Sequence, residues 1–237
     1  MFLFASPMIL LIVVAVLPAL YLISYVYRMD KLDKEPPHLI GRLVLYGAFA
    51  TFFAVITERL GIFLLSLSGW PADSLPYRFL MYFLVVGLSE EGFKYLMLRR
   101  LTWFSPFFNC QFDAVVYAVT LSLGFALWEN IQYVFAYGMG TALVRAVTAV
   151  PGHACFGVFM GIWYGHAKRC YNRRQDGRSR LYGVLALLIP TLIHGAYDFI
   201  ATSGKDGMLL YFIIFVILMF FVAYLSIRRS ARRDTYL

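Results

Sequence analysis

Two adjacent acids, Glu90 and Glu91, interrupt the otherwise apolar run from Tyr82 to Leu98. A carboxylate near the centre of a bilayer costs roughly 2.5–3.5 kcal/mol on insertion scales. A pair of them therefore implies a polar, wet cavity inside the membrane and a task for the acids. Lys94 stands four residues after Glu90 and three after Glu91, so it reaches both on a helix and keeps at least one of them ionised. Further polar groups recur along the chain: Glu129 and Asn130, with Phe125 four residues before Glu129, then His153, then His194 and Asp198 four apart on one helical face.

These residue types support three chemistries. In hydrolysis, a glutamate takes a proton from water, the water attacks a peptide carbonyl, and a second acid or histidine returns the proton to the leaving amine. His and Asn side chains would then stabilise the oxyanion. In metal chemistry, His153, His194 and the glutamates would suit zinc, but no HExxH motif is present and no metal or other cofactor is assigned. In ion or proton transport, acids at the midplane would relay charge, although no inverted repeat supports that use. Nucleophilic catalysis fits poorly, because the segment Gly87–Gly92 is not a G-x-S-x-G elbow.

The elements that must carry these groups are membrane helices. The chain has 237 residues, 61% of them hydrophobic and 14% charged, a composition outside that of soluble domains. About 20 apolar residues cross a bilayer, and seven stretches qualify: approximately Phe2–Tyr27, Leu43–Leu67, Phe79–Leu98, Ala114–Tyr137, Ala146–Ala167, Leu181–Thr202 and Met208–Ile227. They are read as one all-α transmembrane domain over residues 1–237, with the catalytic core over 79–202. The first stretch lacks the basic start and cleavage site of a signal peptide and is read as a retained helix. Pro151 and Gly152 are expected to break or bend the helix ahead of His153, whose stripe continues through Gly157, Gly161 and Gly165, a small-xxx-small pattern for close helix contact.

The net charge of +8 is distributed as a topology signal. Basic clusters follow the first, third, fifth and seventh spans, from Arg28 to Arg42, at Arg99 and Arg100, from Lys168 to Arg180, and from Arg228 to Arg233. Between them the opposite loops carry only Arg78, Arg145 and Lys205. The pattern predicts the N-terminus outside, the C-terminus in the cytoplasm and contact with the lipid bilayer, and argues against nucleic acid as a partner. Cys110, Cys155 and Cys170 form no disulfide framework. Counted from the outer helix ends, Glu90 lies about 11 residues in, Glu129 and His194 about 8 and His153 about 7, a common depth at about 1.5 Å per residue. One shared cavity accounts for it. Asp113 reads equally well as an acid favoured by a helix N-terminus, and no role is assigned to Glu58 and Arg59, adjacent and buried by sequence.

Taken in order, Glu90-Glu91-x-x-Lys94, Phe112-Asp113 leading to Gly124-Phe125-x-x-x-Glu129-Asn130, His153 with Gly157, and His194-Gly195-x-x-Asp198 resemble the PrsW family of intramembrane proteases. That family is a branch of the group that includes the CAAX prenyl endopeptidases and Abi proteins. The larger group reads EExxxR, FxxxH and HxxxN; here Lys94 stands one residue before the Arg position, Glu129 replaces the histidine of FxxxH and Asp198 replaces the asparagine, as in the PrsW branch. The resemblance implies a glutamate-dependent endopeptidase of the bacterial cytoplasmic membrane, cutting a membrane-anchored protein substrate, such as an anti-sigma factor, on its extracytoplasmic side. It implies Glu90 as the base, with Glu91, Glu129, His153, His194 and Asp198 in the catalytic set and Lys94, Phe125, Asn130 and Asp113 supporting them.

Overall fold

The computed structural model describes residues 7–204 and 207–237, so the expected start of the first span at Phe2 and the loop residue Lys205 lie outside the described residues. Its elements are α1 (Pro7–Met29), α2 (Pro37–Ser66), α3 (Leu75–Phe79), a π-helical segment (Leu80–Gly87), α4 (Leu88–Thr102), α5 (Asp113–Tyr137), α6 (Met139–Val147), α7 (Ala149–Asn172), α8 (Asp176–Ala201) and α9 (Met208–Arg232). The fold is all-α, and the protein is a multi-pass membrane protein whose lipid-facing surface is rich in exposed Leu, Ile, Phe and Val.

Six helices are long and apolar enough to cross a membrane. The expected third span is built differently, from α3, the π segment and α4 in succession. None of those pieces alone has the length of a crossing, and α4 carries the charged residues. The break expected at Pro151 falls instead at Thr148, between α6 and α7. Pro151 then occupies the first turn of α7, where its missing N–H has no helical partner to lose.

Helix α5 is the axis of the bundle and is buried almost throughout from Asp113 to Ala126. The small-residue stripe of α7 lets the two helices meet closely: a Cβ added at Gly161 would come within 2.5 Å of the Val115 Cα, and one at Gly157 within 2.8 Å of the Val119 Cα. His153, at the head of that stripe, is thereby directed into the bundle. One core cluster joins α1, α5, α7 and α9 around Phe112, Val119 and Phe156; another joins α2, α5 and α7 around Leu43, Tyr117 and Tyr164.

At the end of the bundle that carries the basic loops, the chain terminus is tied to the start of α5. The Leu237 N–H donates to the Asn109 carbonyl at 2.8 Å and the Gln111 N–H to the Thr235 carbonyl at 3.0 Å. The polar residues inside the spans gather towards the opposite end.

Candidate active site

Helix α4 begins where the π segment ends, and its first turn presents Glu90 and Glu91. The Lys94 ammonium binds both, at 3.2 Å from Glu90 Oε2 and 2.8 Å from Glu91 Oε1. Its third bond goes to His153 Nδ1 at 3.0 Å. An ammonium only donates, so Nδ1 accepts and the ring carries its proton on Nε2. That nitrogen donates to Glu129 Oε2 at 2.9 Å. Phe125 covers the ammonium, with its ring centroid 4.0 Å from Nζ, and lies against the His153 ring.

A second branch runs through α8. His194 Nδ1 lies 2.9 Å from Glu91 Oε1 and 3.9 Å from Glu90 Oε2, while its Nε2 faces Asp198 Oδ2 at 3.4 Å. Phe156 stacks on the imidazole at 4.6 Å between centroids. Both ring nitrogens meet carboxylates, so the ring uses both as donors when it carries two protons.

These groups surround a cavity of about 400 Å³ whose wall includes Glu58, Tyr82, Glu90, Glu129, His153, His194 and Asp198. Glu90 reaches the cavity. Glu91 does not: it is fully buried, with Oε1 shared by Lys94 and His194 and Oε2 unpartnered. The two neighbouring acids therefore occupy different environments, set by their positions around one helical turn.

The structure thus brings Glu90, Glu91, Lys94, Phe125, Glu129, His153, His194 and Asp198 to one place. Two of the expected supporting residues stand elsewhere. Asn130 does not line the cavity: its Nδ2 donates to the Ala15 carbonyl of α1 at 3.0 Å, while its Oδ1 accepts from Arg145. Asp113 is the first residue of α5, and its Oδ2 accepts the N–H groups of Asn109 and Cys110 at 3.0 and 2.6 Å. Sixteen residues of helix, or about 24 Å, separate it from Glu129.

Two members were not recognised from sequence. Arg145, counted there as a loop charge, lies in α6 with its guanidinium 3.0 Å from Glu129 Oε2, and its Nε donates to Asn130 Oδ1 at 3.0 Å. A single arginine near a span end resembles any topology signal, so only the fold of α6 reveals it. Glu58 lines the cavity from α2, whereas Arg59 is exposed on the bundle exterior, which corrects the reading of both as buried. Their spacing on the helix puts neighbours about 100° apart, and the one acid in that span was the available signal.

The carboxylates of Glu90 and Glu91 and the imidazoles of His153 and His194 each offer one ligand atom, all within 4.8 Å of one another. Glu129 and Asp198 engage the outer imidazole nitrogens, as carboxylates do around metal-bound histidines. These are the nitrogen and oxygen donors a divalent metal takes, but the Lys94 ammonium already occupies Glu90, Glu91 and His153 Nδ1 and would have to withdraw to admit an ion.

Residues 35–225 match the family model described as PrsW family intramembrane metalloprotease. The chain belongs to the PrsW family of intramembrane proteases. It is 35% identical to "Protease PrsW" of Oceanobacillus iheyensis, over 90% of this chain and 92% of that protein. It is also 30% identical to "Protease PrsW" of Shouchella clausii, over 95% and 99%, and 33% identical to that of Bacillus subtilis, over 84% and 87%. No solved structure matches this PrsW chain.

Proposed function

We propose that this PrsW-family protein hydrolyses a peptide bond of a membrane-anchored protein inside the cavity, with Glu90 as the base that activates water. The observation that carries the assignment is the difference between the paired acids: Glu90 opens on the cavity and Glu91 is sealed between Lys94 and His194. Glu90 takes the proton of a cavity water, and the resulting hydroxide attacks the carbonyl carbon. The proton that Glu90 took from water moves on to the leaving amine with the Glu129 carboxylate, held by His153 and Arg145, as its relay, so both acids end the cycle ionised. His194 turns its Nε2 from the long contact with Asp198 to the developing oxyanion. Lys94 and Glu91 hold the set in place and do not react.

The donor set also supports a metal reading. His153, His194, Glu90 and Glu91 would hold the ion, which would polarise the carbonyl and lower the pKa of a bound water. In either case Glu129 and Asp198 orient the imidazoles; Lys94 balances the acids in the metal-free reading and would give up His153 Nδ1 in the metal one.

The cavity lies at the end of the bundle opposite the basic loops. With the N-terminus outside and the C-terminus in the cytoplasm, as the loop charges imply, it opens towards the extracytoplasmic leaflet, and a single-span protein such as an anti-sigma factor would be cut on that side. The deciding experiment is proteolysis in liposomes containing a single-span substrate. Wild type should cleave and Glu90→Gln should bind substrate without cleaving it; wild-type rates in Glu90→Gln would overturn the assignment. Metal analysis of the purified protein, and reversible loss of activity in chelator, would select the metal reading; full activity without metal would select the glutamate one.

A further inference from the structure

A second group of buried acids lies at the far end of the molecule from the cavity. Asp30 follows α1, Glu35 precedes α2, and Asp113 opens α5. Each offers a carboxylate oxygen within 4.8 Å of the other two. No Lys, Arg or His nitrogen comes within 4 Å of any of the three among the described residues. Lys34, next to Glu35 in sequence, donates instead to the Tyr27 carbonyl.

The cluster is left incomplete in a specific way. Asp30 is 0% exposed and neither of its carboxyl oxygens has a hydrogen-bond partner. Glu35 Oε2 and Asp113 Oδ1 are likewise buried and unpartnered. Above them the Tyr117 hydroxyl, also fully buried, faces Glu35, Asp113 and Asp30 without a well-formed hydrogen bond. Burying one uncompensated carboxylate costs several kcal/mol, and four inward-facing carboxyl oxygens with a hydroxyl above them lack a cation.

We infer that Asp30, Glu35 and Asp113 form a binding site for a hard divalent cation, Mg²⁺ or Ca²⁺, separate from the candidate active site. All the available donors are oxygens, which selects these ions over zinc. Three carboxylates and the Tyr117 hydroxyl leave positions for water, as Mg²⁺ prefers. Burial outweighs the opposing charge of Lys34 and pushes Asp30 up to about 6, and it pushes Glu35 up to about 7.

Such an ion would join two separate segments, binding both ends of the α1–α2 loop, at Asp30 and Glu35, to the start of α5. The same place holds the chain terminus, since Asp234 Oδ1 accepts the Phe112 N–H at 2.8 Å. The ion would therefore act as a staple at the basic-loop end and would fix the base of α5, the helix that carries Glu129 at its other end.

Full-length protein, purified in detergent and stripped with chelator, can be titrated with Mn²⁺ by electron paramagnetic resonance and challenged with Mg²⁺ and Ca²⁺. Wild type should bind a Mn²⁺ ion that Mg²⁺ or Ca²⁺ displaces, with a rise in thermal unfolding midpoint. Glu91→Gln/His194→Ala, which dismantles the candidate active-site donors, should keep this binding, and Asp30→Asn/Glu35→Gln should lose it. The site is refuted if wild type binds no displaceable Mn²⁺, if binding disappears with the active-site pair, or if it survives in the Asp30/Glu35 variant. Should that variant fail to fold, Asp113→Asn takes its place with the same expected loss.

Discussion

Lys94 Nζ lies 3.0 Å from His153 Nδ1, and this contact connects the acid pair of α4 to Glu129 of α5. The ammonium has no other hydrogen available, so all three of its bonds hold the site together. Lys94→Met takes the ammonium from two buried acids and leaves His194 as the remaining contact of Glu91, and removing one member of a buried ion pair costs about 3–5 kcal/mol. The expected outcome is loss of cleavage with a lower unfolding midpoint. A Lys94→Met protein with wild-type stability and activity would show that the pairing carries no weight.

The sealed and open acids should separate under substitution. Glu90→Gln keeps a hydrogen-bond acceptor beside Lys94 and should leave the unfolding midpoint near that of wild type while cleavage is abolished. Glu91→Gln breaks contacts to both Lys94 and His194, so it should lower stability first and activity in consequence. Thermal unfolding and liposome proteolysis, measured side by side, check the split; an inactive, stable Glu91→Gln with an active Glu90→Gln would exchange the roles.

Arg145 and Glu129 form an ion pair across the α5–α6 boundary. Removing the guanidinium frees Glu129 from one of its two cationic or donor partners, leaving His153. Arg145→Met should reduce the cleavage rate more than substrate affinity, and a double-mutant cycle with Glu129→Gln should show coupling between the two sites. Strict additivity of the two substitutions would dissociate Arg145 from the site.

In chelator, the acid cluster at the far end should give stability a pH dependence of defined sign. Asp30 moves from 3.8 up to about 6 and Glu35 from 4.5 up to about 7, in both cases chiefly because of burial. Between the unfolded and folded values the folded chain holds more protons, so stability is greatest below the unfolded values and falls as pH rises through the folded ones. The unfolding midpoint of stripped wild type should therefore drop between about pH 5 and about pH 8 more than that of Asp30→Asn/Glu35→Gln. Equal drops in the two proteins would remove these acids as the cause.

Close packing of α5 on α7 makes a further prediction. A Cβ at Gly161 meets the backbone of Val115 at 2.5 Å, and backbone cannot yield as a flexible side chain can. Gly161→Leu should separate the helices and cost about 1–3 kcal/mol or more, and it should also lower activity by displacing His153 at the head of the same stripe. Unchanged stability in Gly161→Leu would mean that the contact is slack.

Much of the site was legible because membrane burial makes charge conspicuous. Glu90, Glu91, Glu129, His153 and His194 stand out against apolar neighbours, and helical spacing alone puts Lys94 beside both acids. Arg145 was hidden because its partner is fixed by the turn at Gly138, where φ is +82°, and no periodicity signals that reversal. The way Asn130 supports the site was not legible: a step of about 100° around the helix from Glu129 sends its Nδ2 to α1, while its Oδ1 holds the Arg145 that pairs with Glu129. The third crossing was legible as an apolar run, but its π segment, which packs against α2 and α8, was not, since Leu80–Gly87 carries no compositional mark that separates it from an ordinary apolar helix.

That π segment has a consequence for how this enzyme family can change. Met81, Tyr82 and Val86 line the cavity from within it, while Glu90 lines it from the α-helical turn that follows. The wider coil between them works as an adjustable joint in the helical phase. Losing one residue there would turn the Leu75–Phe79 end by about 100° relative to the acids, moving the aromatic wall while leaving Glu90, Glu91 and Lys94 in register with one another. The cavity wall and the acids proposed to act in it are thus joined in one helix yet free to be re-aimed separately, a route by which this fold can reshape its cavity while the Glu90, Glu91 and Lys94 cluster stays unchanged.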